Sequence, residues 1–385
     1  MNPKNVVFKK ICKDKSVAVY MGRRDFVDRV DSVDPVDGVI LIDPEALQGR
    51  KVFVTLSCTF RYGRDDMDVM GIAFRRELYL STRQVYPALQ DREKGTHTRT
   101  QAKLLRKLGQ DAYPFFFETR RGIEPARPQC AVEFEIHAFS AESQDAKIRK
   151  RSSVKLTIRK VQYAPETEGA APSVETTRDF VMSDKPLHVK ASLDKEIYYH
   201  GDCVKVHVIV TNHSSKTIKN VIVSVDQVST VVLYSNDCYV KSVAIEEPGD
   251  SVSPGATLQK VYTLLPLLAN NRERRGIAVD GKLKHEDTNL ASSSIVKDGV
   301  LKEVMGIMVS YRIMVKLIVA GSVAPFEVGV EIPFKLMHPK PDAGDELEEE
   351  MEFQEFKRSY LKGMNEDEDE EGNVSGGDDI APKEK

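Results

Sequence analysis

Apolar and polar residues alternate with period two through most of this chain. In KVFVTLSCTFRY, the residues Val52, Val54, Leu56, Cys58, Phe60 and Tyr62 share one face, with mostly polar residues between them. That is the pattern of a half-buried strand. It recurs at Val154, Leu156 and Ile158 in SVKLTIRKV, and at Val204, Val206, Val208 and Val210 in VKVHVIV. Turn signals such as VDPVDG, TNHSS and EEPGDSVSPG separate the short runs, which predicts antiparallel sheets rather than βαβ units. Only THTRTQAKLLRKLGQ reads as a helix. Thr98 and Gln101 stand at capping-box spacing, Leu104, Leu105 and Leu108 make a stripe, and Gly109 suits the position just past the end. The most apolar run, 304–320, contains Arg312 and Lys316, so it predicts a pair of buried strands and no membrane span.

The fold class is therefore all-β: two antiparallel, immunoglobulin-like β-sandwich domains, one short amphipathic helix and an acidic C-terminal tail. The segment ETEGAAPSVETT lacks apolar periodicity and carries Pro172 among small and polar residues, the composition of a linker. The expected organisation is an N-terminal domain over 1–167, a linker over 168–178, a second domain over 179–338 and a tail over 339–385.

Charge sharpens that division. The formal net charge is −3, but from Pro341 onward 17 acidic residues face 5 basic ones, a net of −12, which leaves +9 on the preceding 340 residues. A basic body carries an acidic tail that can shield it. Within the tail, MEFQEFKRSYLKG sets Met351, Phe353, Phe356 and Leu361 among charges, as a docking segment would. The five cysteines, Cys12, Cys58, Cys130, Cys203 and Cys238, are odd in number and never spaced CxxC. They predict neither a disulfide framework nor a zinc site, and a reducing, cytoplasmic setting. The N-terminus has no basic segment followed by an apolar one, so no secretory signal is expected.

Catalytic signatures do not emerge. The chain has no Gly-rich phosphate loop, no GxSxG and no HExxH, and His285 adjoins Glu286 and Asp287 where an extended chain points neighbours to opposite faces. No enzymatic activity, cofactor or metal is expected. The basic residues do not form the aromatic-interleaved stripe that nucleic acid requires. What remains are charged interaction elements, of which GIAVDGKLKHEDTNLASSS, residues 276–294, is the densest.

Together, VFKK, RRDFVDRVDSVDPVDGV, FRYGRDDMDVMG, IRKVQYAP, MSDKPLHVKASLDKEIYYHG, LLANNRERRGIAVDGKLKHEDTNLASS and LMHPKP span nearly the whole chain. In these motifs the sequence resembles the arrestin family, most of all its visual branch. The resemblance implies a tail folded back on the N-terminal domain and binding to an activated, phosphorylated G-protein-coupled receptor, rhodopsin above all, in the photoreceptor cytoplasm. It implies a polar core of Asp25, Arg159, Asp280, Asp287 and Arg358. It implies phosphate contacts at Lys9, Lys10, Arg24, Lys107 and Lys284, and a receptor-entering finger loop that includes Asp66, Met67, Asp68, Val69, Met70, Gly71 and Ile72. Tail anchoring falls to Val6, Val7, Phe8, Leu104, Leu108, Phe353 and Phe356. Further partners under this reading are inositol phosphate or anionic lipid, an adaptor protein held weakly by the tail, and a second copy of the chain. The rivals are an endocytic adaptor of the β-arrestin type and an anionic-lipid-binding module.

Two regions depart from the family pattern. TRRGIEPARPQCAVEFEIHAF is shorter than its counterpart, so a strand is expected to be missing and a sheet edge left open. VAGSVAPFEVGVEIPF is shortened likewise, and Thr100 stands where the family has leucine.

Overall fold

Strands form where the apolar alternation is longest. The computed structural model describes residues 6–27, 33–62, 74–89, 96–118, 130–165, 169–181, 183–232, 236–272, 274, 276–281, 288–295, 306–321, 324–339 and 352–355. The N-terminal half holds β1 (Val6–Ile11), β2 (Val17–Met21), β3 (Asp25–Val27), β4 (Val36–Ile42), α1 (Pro44–Leu47), β5 (Lys51–Tyr62), β6 (Phe74–Tyr86), α2 (Arg99–Leu108), β7 (Ala112–Phe117), β8 (Cys130–Ala141) and β9 (Ser153–Val161). The C-terminal half holds β10 (Ser173–Arg178), β11 (Leu187–Leu193), β12 (Ile197–Tyr199), β13 (Val204–Asn212), β14 (Ile218–Val232), β15 (Asn236–Glu246), β16 (Thr257–Leu264), β17 (Gly306–Val319) and β18 (Phe326–Met337). The tail adds β19 (Glu352–Glu355). One sandwich stacks β19-β1-β2-β4-β7 on β3-β9-β8-β5-β6, and the other stacks β10-β11-β13-β16 on β12-β18-β17-β14-β15.

The predicted phases fill the cores. Val52, Val54, Leu56, Cys58, Phe60, Val204, Val206, Val208 and Val210 are all fully buried. β2 is buried along its whole length because both its faces are covered: Val17, Val19 and Met21 enter the main core, while Ala18 and Tyr20 join Val7, Val39, Leu104, Leu105 and Ala112 under α2. Helix α2 has the expected cap, with Gln101 N–H donating to Thr98 Oγ1 and Thr98 N–H to Gln101 Oε1, and Gly109 at φ 86° closing the other end. Such a cap contributes about 1 kcal/mol. Gln101 also donates to the carbonyls of Gly38 and Phe115, which sews the helix to β4 and β7, and the methyl of Thr100 closes over Gly22, where a Cβ would leave only 2.5 Å.

Four features differ from the sequence reading. The run 304–320 contains one 14-residue strand, β17, not two. Ile307, Val309, Tyr311, Ile313, Val315, Leu317 and Val319 keep one buried phase without a turn residue, and Arg312 and Lys316 fall on the other phase, facing Glu331 and Glu327. Residues 173–178, inside the expected linker, form the mostly exposed strand β10 against β11. One helical turn, α1, was not expected: Asp43 caps it and Pro44 begins it. Three strand pairings among the described residues are parallel, β1 with β19, β3 with β9 and β12 with β18; each joins segments far apart in the chain, which no local turn signal can announce. Where the missing strand was expected, β7 ends its sheet among the described residues, with Phe116 exposed. No helix among the described residues is long and apolar enough to cross a membrane.

Asp14 closes the β1–β2 turn, accepting from the Cys12 thiol, the Ser16 N–H and hydroxyl, and the hydroxyl of Ser152, the residue just before β9. Burial alone would raise its pKa, but these donors hold it down to about 2. A carboxyl depressed in the fold stabilises it above the ordinary value of about 3.9 and loses that contribution as pH falls towards the depressed value. Asp14→Asn is therefore expected to be less stable than the parent at neutral pH, and the gap to close between about pH 4 and pH 2. Denaturant titrations across that range test this; a gap that stays constant down to pH 2 contradicts it.

Candidate functional site: a polar junction between the sandwiches

β9 buries Val154, Leu156 and Ile158, so period two turns Arg159 off its own core. The parallel β3–β9 pairing sets Asp25 directly beside it. The result is a bidentate ion pair: Arg159 Nε donates to Asp25 Oδ1 and Nη2 to Oδ2, both at 2.7 Å. The Arg159 side chain is 18% exposed and that of Asp25 39%, so the pair is held but reachable by solvent. Arg159 Nη1 reaches across to the Gly281 carbonyl at 3.5 Å. Gly281 permits the approach, since a Cβ there would stand 3.3 Å from Arg159 Cγ. Further crossings run from Ala164 N–H to the His338 carbonyl and from Ile295 N–H to Gln162 Oε1.

The opposing segment is a short hairpin on the C-terminal sandwich. Val279 bridges Leu290, and the Ala291 and Asp280 N–H groups donate to Ala278 and Asn289. Beneath it, buried Gln227 on β14 accepts from Ala278 N–H and donates to the Ala278 carbonyl and the Tyr311 hydroxyl, and Tyr311 donates to the Ala291 carbonyl at 2.6 Å. Burial raises the Tyr311 hydroxyl pKa far above its ordinary value.

The Asp280 carboxylate is engaged differently from the expectation that it faces Arg159. Oδ1 accepts from Ser292 N–H at 2.8 Å; Oδ2 lies 2.9 Å from the Ser292 hydroxyl, 2.9 Å from His338 Nε2 and 3.7 Å from His200 Nε2. Burial pushes the His200 imidazole down to about 4, against the pull of Asp280. Asp280 thus joins the polar junction through its neighbour Gly281, because the hairpin hydrogen bonds turn its side chain towards β12 and β18. Asp287, Lys284 and Arg358 lie outside the described residues.

The expected phosphate contacts divide. Lys9 and Lys10 stand half-buried on β1, Lys9 5.7 Å over the Tyr20 ring and Lys10 donating to the Lys155 carbonyl. Lys107 is exposed in the last turn of α2. Arg24 departs: its side chain is buried, and Nε and Nη2 both donate to the Thr157 carbonyl. Its guanidinium is committed to holding β3 on β9. Lys13 and Lys15, not singled out in the sequence, line one concave surface with Lys9 and Tyr20.

Val7, Leu104 and Leu108 meet in the cluster beneath α2. β19 runs parallel to β1, pairing Val6, Val7, Phe8 and Lys9 with Glu352, Phe353, Gln354 and Glu355, so the tail does return to the first strand. Phe356 lies outside the described residues, as do Asp66, Met67, Asp68, Val69, Met70, Gly71 and Ile72 of the expected finger loop. That loop joins β5 to β6, whose register ends at Tyr62 opposite Phe74. His200, Ser292 and His338 were also missed in the sequence; IYYHGD and LMHPKP carry the histidines without any periodicity that pairs them.

Comparison with known proteins agrees with this architecture. Residues 17–164 match the profile described as arrestin (or S-antigen), N-terminal domain, and residues 183–341 match its C-terminal domain. The chain is 50% identical to S-arrestin of Xenopus laevis over 376 residues, which cover 94% of each chain, and 51% identical to S-arrestin of Homo sapiens over 389 residues, covering 95% of each. It is 50% identical to arrestin red cell isoform 3 of Oncorhynchus mykiss over 407 residues, covering 95% of this chain and 98% of the relative. With both domain profiles matched and about half of the aligned positions identical to these relatives, the chain belongs to the arrestin family.

Proposed function

We propose that this protein binds an activated, phosphorylated G-protein-coupled receptor of the rhodopsin class and ends its coupling to the G protein by steric block. It acts without covalent chemistry, from the cytoplasm of a photoreceptor cell. The observation that carries this reading is the tail strand. β19 pairs with the edge of β1 beside Lys9 and places Glu352 and Glu355 along it. A phosphorylated receptor segment needs the same two things, an edge to pair with and cations to meet its charge. Each phosphate brings about −1.5 to −2 charges. Lysines meet it as point charges that tolerate varied geometry, and Lys9, Lys10, Lys13, Lys15 and Lys107 are the residues we assign, with Lys284 as a further contact.

Receptor phosphates arriving on this surface displace the tail and draw on the Arg159–Asp25 pair, which couples phosphate recognition to release of the inactive arrangement. The loop over 66–72 then enters the receptor's cytoplasmic cavity. Its methionines supply adaptable apolar contact, and Gly71 lets it bend.

Equilibrium binding to four rhodopsin preparations, dark or illuminated and phosphorylated or not, at two salt concentrations, tests this. Strong binding is expected only to the illuminated, phosphorylated form, and it should weaken with salt. Binding that follows anionic-lipid content and ignores phosphorylation would overturn the reading in favour of a lipid module. Tight clathrin binding would place the protein among endocytic adaptors instead.

A further inference from the structure

We propose that His200, Asp280 and His338 form a binding site for a divalent transition-metal ion of the Zn2+ class. The site stands apart from the receptor reading and survives its failure. Its two imidazoles are brought together by topology. β12 pairs in parallel with the end of β18, Tyr199 opposite Met337, and His200 N–H donates to the Met337 carbonyl. His200 and His338 therefore leave their strands side by side, with ring centroids 4.5 Å apart. The hairpin carrying Asp280 lays its carboxylate against both.

The donor atoms have the spacing of a coordination sphere. All three lie within 4.8 Å of one another. Asp280 Oδ2 is 2.9 Å from His338 Nε2 and 3.7 Å from His200 Nε2. A tetrahedral zinc ion with bonds of about 2.0–2.1 Å separates its ligands by roughly 3.3–3.4 Å, so the two observed distances bracket the required one and small rotations suffice. The Ser292 hydroxyl stands 2.9 Å from both Asp280 Oδ2 and His200 Nε2, where a fourth ligand, itself or a water, completes the sphere. Ser292 N–H holds the other carboxylate oxygen, the kind of supporting bond that fixes a ligand's orientation.

Donor chemistry selects the ion. Two imidazoles and one carboxylate suit Zn2+, Co2+ or Ni2+, whereas Ca2+ and Mg2+ require oxygen donors. Side-chain exposure rises from 7% at His200 through 13% at Asp280 to 26% at His338, which leaves a way in on the His338 side. Because Gly281 gives its carbonyl to Arg159, an ion fixing Asp280 stiffens the polar junction from the C-terminal side.

The test uses the full chain, stripped of metal, carrying Cys203→Ser and Cys238→Ser to remove two exposed thiols. Calorimetric titration with Zn2+ is expected to show one tight equivalent, and Co2+ to give the intense visible absorption of a tetrahedral nitrogen–oxygen site. Ca2+ and Mg2+ should give neither. His338→Gln, at the most exposed ligand, is expected to keep the metal-free melting temperature, to weaken Zn2+ binding by at least about 100-fold and to abolish the Co2+ band. His200→Gln and Asp280→Asn should do the same where they fold. His188→Gln, which disrupts another close histidine pair among the described residues, with His213, should leave binding unchanged. A protein that takes up no tight equivalent of Zn2+, or one whose affinity is untouched by His338→Gln, overturns the proposal.

Discussion

Arg159→Glu is expected to bring the affinity ratio between phosphorylated and unphosphorylated activated receptor close to one. Removing the guanidinium deletes both 2.7 Å bonds to Asp25 and the reach to the Gly281 carbonyl. Glutamate then sets like charges side by side in a parallel pair whose register fixes their separation. A fully buried pair costs about 3–5 kcal/mol to break, and a surface pair contributes about 0–1 kcal/mol. At 18% and 39% exposure, this pair falls between, at about 2 kcal/mol, which shifts a two-state balance by up to about 30-fold. The unphosphorylated receptor should gain nearly all of that factor, because the phosphorylated one already supplies the charge that opens the junction. Reversing both partners, Arg159→Glu with Asp25→Arg, restores an attractive pair and should recover most of the phosphate requirement. If Arg159→Glu folds, by circular dichroism, and keeps the parent ratio, the pair holds the domain together without sensing phosphate.

Period-two arguments reach most of the sheet structure, because in a sandwich the core decides which phase is apolar. They place Val154, Leu156 and Ile158 inward, and they push Arg159 off the core before any contact is known. The cap of α2 was equally legible, since Thr98, Gln101 and Gly109 act on their own helix. Legibility ends where a contact joins distant segments. The β3–β9 register makes Asp25 the partner of Arg159, and the β12–β18 register makes His200 the neighbour of His338; neither has a local signature. Arg24 shows the reverse error. An arginine in a charged motif reads as surface, yet Thr157 offers a carbonyl that its guanidinium can satisfy while its stem is buried. The direction of the Asp280 carboxylate was illegible for a related cause: it depends on Ser292, twelve residues away across a hairpin.

Gln227→Leu is expected to cost about 2–4 kcal/mol of stability and to loosen the hairpin that presents Gly281 to Arg159. Gln227 lies in phase with Val221, Val223 and Val225 on β14 and is 1% exposed, so a leucine fits the apolar pattern better than the native residue. The network it closes is the reason a polar group is kept there. Its amide satisfies both the N–H and the carbonyl of Ala278 and meets the hydroxyl of Tyr311, its cross-strand partner on β17. With leucine in place, the Ala278 N–H has no acceptor from this side chain and Tyr311 loses its donor, all within a fully buried region. Each such group left unsatisfied costs about 1–3 kcal/mol, more than the leucine's extra apolar burial returns. The effect should be local as well as global: hydrogen exchange at the Ala278 amide should accelerate beyond what the drop in global stability explains. Tyr311→Phe, which removes the bond to Ala291 and the one accepted from Gln227 but leaves both Gln227–Ala278 bonds in place, should show a smaller loss of about 1 kcal/mol. Chemical denaturation gives the first quantity and exchange mass spectrometry the second. Should Gln227→Leu prove as stable as the parent, with Ala278 equally protected, the hairpin is held by its backbone bridge alone, and the junction does not depend on this buried amide.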